Sequence, residues 1–183
     1  MPWKNTKNRY GALVIGLHWL MLLLLVAVYA TMELRGLAPK GSALRDSLKA
    51  LHFMLGLTVL ALVAVRIVSR IGAGRAPAIV PAAPRWQSGL SHLMHLALYA
   101  FLVAMPILGW AALSAEGKPI VFFGFPVPPL IAPDADLADQ IQEVHEALAS
   151  VGYVLIGLHA VAALYHHYVQ RDNTLRRMLP GRG

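Results

Sequence analysis

From Gly11 to Met32 the chain runs through 22 residues without a formal charge. An α-helix of that length rises about 33 Å, enough to cross the hydrocarbon of a bilayer. Three later segments share the property. The second extends from about Ala50 to Val68, broken only by Arg66 near its end, and the third from Leu90 to Ala115; the fourth opens amphipathically around Asp136 and is continuously apolar from Ala147 to Tyr165. With 57% hydrophobic and 14% charged residues over 183 positions, the chain is too apolar for an ordinary soluble fold. The expected fold class is an all-α integral membrane protein, a four-transmembrane-helix bundle forming one domain over residues 1–183. Its helices are expected over about 11–34, 44–70, 88–115 and 136–170. The first segment is too long for the apolar core of a secretory signal, and no Ala-x-Ala-like cleavage site follows it directly.

Lys and Arg set the expected orientation. Lys4, Lys7, Arg9, Arg66, Arg70, Arg75, Arg85, Arg171, Arg176, Arg177 and Arg182 fall on one side. Arg35, Lys40, Arg45, Lys49 and Lys118 fall on the other, with eight of the nine acidic residues. The positive-inside rule then predicts that both termini are cytoplasmic and that the first and third connections face the periplasm of a bacterial inner membrane. The net charge of +7 lies between apolar segments rather than along one polar face, so nucleic acid is not an expected partner.

Histidines carry the chemistry. His145 and His159 are fourteen residues apart in the fourth segment. That spacing turns a helix to within roughly 40° of a whole number of turns while rising about 21 Å, so both rings face one way at two depths. His18 in the first segment and His52 in the second each supply a partner at one depth. With the predicted orientation, His18 pairs with His159 and His52 with His145. Two facing pairs of imidazoles in an apolar helix bundle are what two b-type haems require of their axial ligands. There is no cysteine, which excludes thiolate clusters and covalent haem attachment through Cys-x-x-Cys-His. A lone intramembrane histidine often only hydrogen-bonds between helices, but four level-matched ones are not explained that way. His92 and His95 in the third segment are alternative ligands, with His95 the one to replace His18.

The connections are helix-breaking. Residues 72–89 alternate Ala and Pro clusters, and residues 116–133 mix Pro119, Pro126, Pro128, Pro129 and Pro133 with Phe122, Phe123 and Phe125. The latter reads as an irregular, apolar cap. Pro106 should kink the third helix rather than end it, because an apolar run continues beyond it.

These residues fall into motifs: Leu17-His18-Trp19-Leu20, Met32-Glu33-Leu34-Arg35-Gly36, Gly89-Leu90-Ser91-His92-Leu93-Met94-His95 and Met105-Pro106-Ile107-Leu108-Gly109. They continue with His145-Glu146-Ala147-Leu148-Ala149, Gly157-Leu158-His159-Ala160, His166-His167-Tyr168 and Asp172-Asn173-Thr174-Leu175. In order and spacing the chain resembles the bacterial cytochrome b561 family over nearly its whole length. The resemblance implies two haem b groups, with helices one and four holding one and helices two and four the other. It further implies an oxidoreductase that passes electrons from superoxide to ubiquinone. Family membership also accommodates a haem b relay subunit of a quinone-linked respiratory oxidoreductase, while a soluble partner is not required. From another class, a histidine-based metal carrier or transporter is the rival reading.

Two further sets of residues follow from that chemistry. Superoxide is a small anion, and Arg35 and Lys118 are candidates to steer it. A quinone headgroup needs hydrogen bonds and protons at the cytoplasmic end, for which His166, His167, Arg75 and Trp86 are candidates. The pair His166-His167 with Tyr168 equally suits an interfacial anchoring belt.

Overall fold

The computed structural model describes residues 3–180; Arg182, one of the orienting charges, lies outside them. Four long helices dominate: α1 (Ala12–Leu37), α2 (Ala43–Gly72), α3 (Arg85–Ala115) and α4 (Ala135–Tyr165). Each is long and apolar enough to cross a membrane. Pro106 is buried within α3, which continues past it. After α4 the chain makes a π-helical turn, His166–Gln170, and later a short 3-10 turn, Arg176–Met178.

The connection after α3 departs from the expected irregular cap. It contains a small antiparallel hairpin, β1 (Ile120–Phe122) and β2 (Phe125–Val127), paired Phe122 to Phe125. Its two turn residues, Phe123 and Gly124, have φ of 46° and 86°. Positive φ at both central positions matches the twist of a two-residue hairpin, a conformation costly for Phe and free for Gly. Pro126 is accommodated because a two-stranded ribbon consists of edges only.

The chain divides into two compact units, and every long helix contributes to both. The terminal unit takes the described parts of Met1–Leu20, Ala64–Ala100 and Val151–Gly183. Within it, side chains stitch the two chain ends to the α2–α3 linker. Asn5 Nδ2 donates to the carbonyls of Gly74 and Arg75, and Asn5 Oδ1 accepts from Gly11 N at 3.0 Å. A side chain on Gly11 would strike the Trp3 carbonyl, so the close approach needs glycine. From the other end, Val80 N donates to Asn173 Oδ1 at 2.9 Å, Arg177 donates to the Pro77 carbonyl, and Trp19 Nε1 donates to the Met178 carbonyl at 2.7 Å.

The hairpin unit takes Met21–Val63 and Phe101–Ser150. Its helix ends are finished by side chains, as unpaired backbone groups demand. Arg45 donates to the carbonyls of Arg35 (2.9 Å) and Ala38 (3.1 Å) at the end of α1. Asp134 Oδ1 caps α4 by accepting from Leu137 N at 3.0 Å. Ser114, only 2% exposed, donates to the Trp110 carbonyl and accepts from Leu130 N, fixing the segment after the hairpin to α3.

Candidate functional site: two histidine pairs

In the hairpin unit, α2 and α4 bring His52 and His145 together with ring centroids 6.2 Å apart. Nδ1 of His52 lies 3.2 Å from the Val28 carbonyl and 3.3 Å from Thr31 Oγ1. The Thr31 hydroxyl, on a residue 4% exposed, itself donates to Val28 O at 2.6 Å. A carbonyl can only accept, so the proton of neutral His52 belongs on Nδ1 and the lone pair on Nε2. This is the tautomer a metal-ligating imidazole needs, with the backbone acceptor as its outer support. His145 packs against Gly109: a Cβ there would stand 3.4 Å from His145 Cε1. The Nδ1 of His145 is buried beside the Met105 carbonyl but outside hydrogen-bond geometry.

In the terminal unit, α1 and α4 set His18 and His159 at 6.1 Å, while α3 brings His95 to 5.4 Å from the same His159 ring. Distance discriminates between them. Metal–imidazole bonds of about 2 Å, plus about 1.1 Å from each nitrogen to its ring centre, separate two trans imidazoles by about 6.2 Å. His18 meets that spacing as closely as the His52 pair does. His95 is too near, and its Nδ1 lies 2.6 Å from its own helix carbonyl at Ser91. His92 makes the same local bond to Ser88 and is exposed.

The two pairs therefore fit haem b: His18 with His159 and His52 with His145 would each supply the two ligands that its iron takes from protein. Among the described residues, no group of three or more His, Cys, Asp or Glu side chains converges to hold a bare ion. Gly56, four residues after His52 and so on its face of α2, is half-buried with nothing within 4 Å of a Cβ built there. A side chain at that position would extend into the space beside His52.

The other candidates sit as follows. Lys118 forms a 2.5 Å ion pair with Glu116, and the hydrogen bond it donates to that carboxylate holds the lysine above its ordinary pKa. Its positive charge is thus largely matched. Arg35 is half-buried, with Nε unpartnered, and both cations act electrostatically on Lys49. Lys49, one of the loop cations, thus shares the surroundings of both.

At the terminal end, Nδ1 of His166 is committed to Asp172 at 2.5 Å, and Asp172 is 4% exposed. Burial alone would push this carboxyl up, but hydrogen bonds from His166 and Thr174 outweigh it and hold it below its ordinary range. His167 packs on Tyr168 and keeps a buried, unpartnered Nδ1. Arg75 and Trp86 are exposed, and no hydrogen bond joins either side chain to the histidines among the described residues. Three features escaped sequence reading as site elements: the Val28 and Thr31 acceptor set, Asp172 as the partner of His166, and Arg66 at the terminal pair. The last had a visible signal, an arginine inside an apolar span.

A family model described as prokaryotic cytochrome b561 matches residues 9–181. The chain is 42% identical over 175 residues to cytochrome b561 homolog 1 of Escherichia coli strain K12, covering 96% of this chain and 99% of the relative. A Yersinia pestis protein named "Probable superoxide oxidase CybB" is 41% identical over 173 residues, 94% of this chain and 97% of that one. Cytochrome b561 homolog 2 of the same E. coli strain is 31% identical over 180 residues, covering 98% of this chain and 95% of the relative. With the apolar helices and facing histidines, these matches place the chain in the prokaryotic cytochrome b561 family, multi-pass membrane proteins of haem b electron transfer.

Proposed function

We propose that this protein is a dihaem superoxide:ubiquinone oxidoreductase of a bacterial inner membrane, with both termini cytoplasmic. The observation that carries the proposal is the pair of histidine couples at 6.1 and 6.2 Å, each spaced for one iron and both drawing a ligand from α4. The similarity to a relative named as a probable superoxide oxidase supports the choice of donor. His18 and His159 would hold one haem b, and His52 and His145 the other. When bound, each haem supplies one-electron storage at a potential set by its surroundings.

The overall reaction balances as two superoxide anions oxidised to two dioxygen, with the two electrons and two protons converting one ubiquinone to its quinol. The chain's own residues orient and screen. Val28 and Thr31 hold His52 in its ligating tautomer. Arg35, Lys49 and the Lys118–Glu116 pair lie in the unit assigned to superoxide arrival, where Glu116 moderates the attraction. His166, held by Asp172, stands two helical turns beyond His159 and can hold a proton at the end assigned to quinone.

Stopped-flow mixing of the purified haem-loaded protein with superoxide, followed by ubiquinone, tests this reading. Fast haem reduction and quinone-dependent reoxidation are expected. Glu116→Gln should raise the superoxide rate about twofold at low salt, an effect fading as the Debye length shrinks from about 10 Å at 0.1 M to 3 Å at 1 M. Haem reduction no faster than that of unrelated b haems would assign the protein instead to relaying electrons within a larger oxidoreductase.

A further inference from the structure

Arg66 is the one charge inside the apolar run of α2 between Ala50 and Val68, and it is buried, 7% exposed. Its Nε donates to the Tyr99 hydroxyl at 3.2 Å, and its Nη2 lies 3.2 Å from His18 Nδ1. Nη1 is buried without a partner. Among the described residues, no ion pair involves Arg66. Its charge acts on three basic neighbours, His18, His95 and His159, and Arg70 lies one turn further along α2. A guanidinium with unmet donors and no counter-charge is among the costliest arrangements a protein interior holds.

The contact with His18 sharpens the problem. A guanidinium nitrogen only donates, so this hydrogen bond requires His18 Nδ1 to accept. A neutral imidazole that gives its Nε2 lone pair to a metal carries its proton on Nδ1. Ligation by His18 would then set two donors against each other and release Nη2 to join Nη1. Those two nitrogens form the fork that grips a carboxylate by parallel hydrogen bonds. Within the terminal unit, no described carboxylate is paired with it. Haem b carries two carboxylates on flexible arms, the one acidic function that would arrive together with a ligand for His18 and His159.

We infer that Arg66 is the counter-cation that binds a carboxylate arm of the haem held by His18 and His159, and that its fixed charge raises the reduction potential of that haem alone. The inference rests on the haem reading above. A cation beside the iron disfavours the ferric state, which carries one more positive charge than the ferrous state.

The test uses the full chain produced in haem-starved cells, in a His52→Ala background so that the terminal pair is read alone. It is loaded with protohaem or with protohaem dimethyl ester, whose carboxylates are blocked. With Arg66 present, the free acid should bind about tenfold more tightly than the diester. Arg66→Gln should abolish that preference, and Arg66→Lys should keep part of it. In the unmodified background, Arg66→Gln should lower one midpoint by about a tenfold change in the ferric-to-ferrous ratio, equivalent to 59 mV for one electron, leaving the other midpoint in place. Equal binding of acid and diester when Arg66 is present overturns the inference, and this arm stands even if Arg66→Gln fails to fold. A midpoint that instead follows chloride concentration would assign Arg66 to a free anion and overturn it as well. Absence of low-spin bis-histidine haem in every sample would remove the haem reading itself.

Discussion

At the hairpin end His52 rests its Nδ1 on the Val28 carbonyl and the Thr31 hydroxyl, whereas at the terminal end His18 turns the same atom toward the Arg66 guanidinium. The ring spacings are nearly identical, 6.2 and 6.1 Å, so the two pairs would offer an iron the same spacing. What differs is electrostatics. A backbone acceptor on Nδ1 makes an imidazole more electron-donating and favours the higher oxidation state of its metal. A buried cation favours the lower one. With haem bound at both pairs as proposed, opposite surroundings would order the two potentials, the hairpin pair lower and the terminal pair higher.

The most severe way to break the comparison is to delete ligands. His52→Ala or His145→Ala should remove one of two low-spin haems, with the other intact, and His18→Ala or His159→Ala should remove the complementary one. Haem content and reduced spectra measure this. Two haems retained in His18→Ala would transfer the ligand role to His95, despite its 5.4 Å approach to His159.

Next in size is the order of potentials. Spectroelectrochemical titration of the His52→Ala and His18→Ala proteins should give a higher midpoint for the haem left at the terminal pair. The expected separation is at least about tenfold in the ferric-to-ferrous ratio at a fixed potential, or 59 mV. Equal or inverted midpoints would mean that Arg66 and Val28 do not distinguish the ends.

A smaller effect concerns how the terminal unit is held together. Asp172 is depressed below its ordinary pKa of 3.8, so it binds fewer protons folded than unfolded near that pH. Its stabilising contribution is therefore full above pH 3.8 and lost as pH falls through the folded value. Asp172→Asn should cost about 1–3 kcal/mol at neutral pH by weakening a buried, charge-assisted bond to His166, lowering the melting temperature by several degrees. The gap from the parent protein should close as pH drops below 3.8. Release of the terminal haem should be accelerated more than release of the other; equal acceleration would show that Asp172 supports the whole chain rather than one unit.

The four apolar helices were legible because a bilayer admits few alternatives to a long uncharged run, and the pairing of histidines followed from helical periodicity together with the predicted orientation. The hairpin was not legible. Its turn places Phe123 at positive φ, and Pro126 lies in a strand, so the usual turn and strand signals are both inverted. His166 was readable as a titratable group near the membrane surface, but its commitment to Asp172 depends on the π-helical turn His166–Gln170 and the left-handed Arg171 that ends it. Arg66 announced itself as a charge in an apolar segment. That it faces three histidines and no acid is a fact of helix packing, which one segment's sequence does not encode.

One continuous helix, α4, gives a histidine to each pair, and this makes it a ruler as well as a wall. Inserting a single residue between His145 and His159 would rotate one ring by about 100° relative to the other. Only one of them could then still face its partner. The rotation between the two rings is set by the length of this interval in residues, whatever side chains it carries. Insertions and deletions that a loop would absorb are here equivalent to removing a histidine from its pair, so the interval constrains how such a chain can diverge by counting.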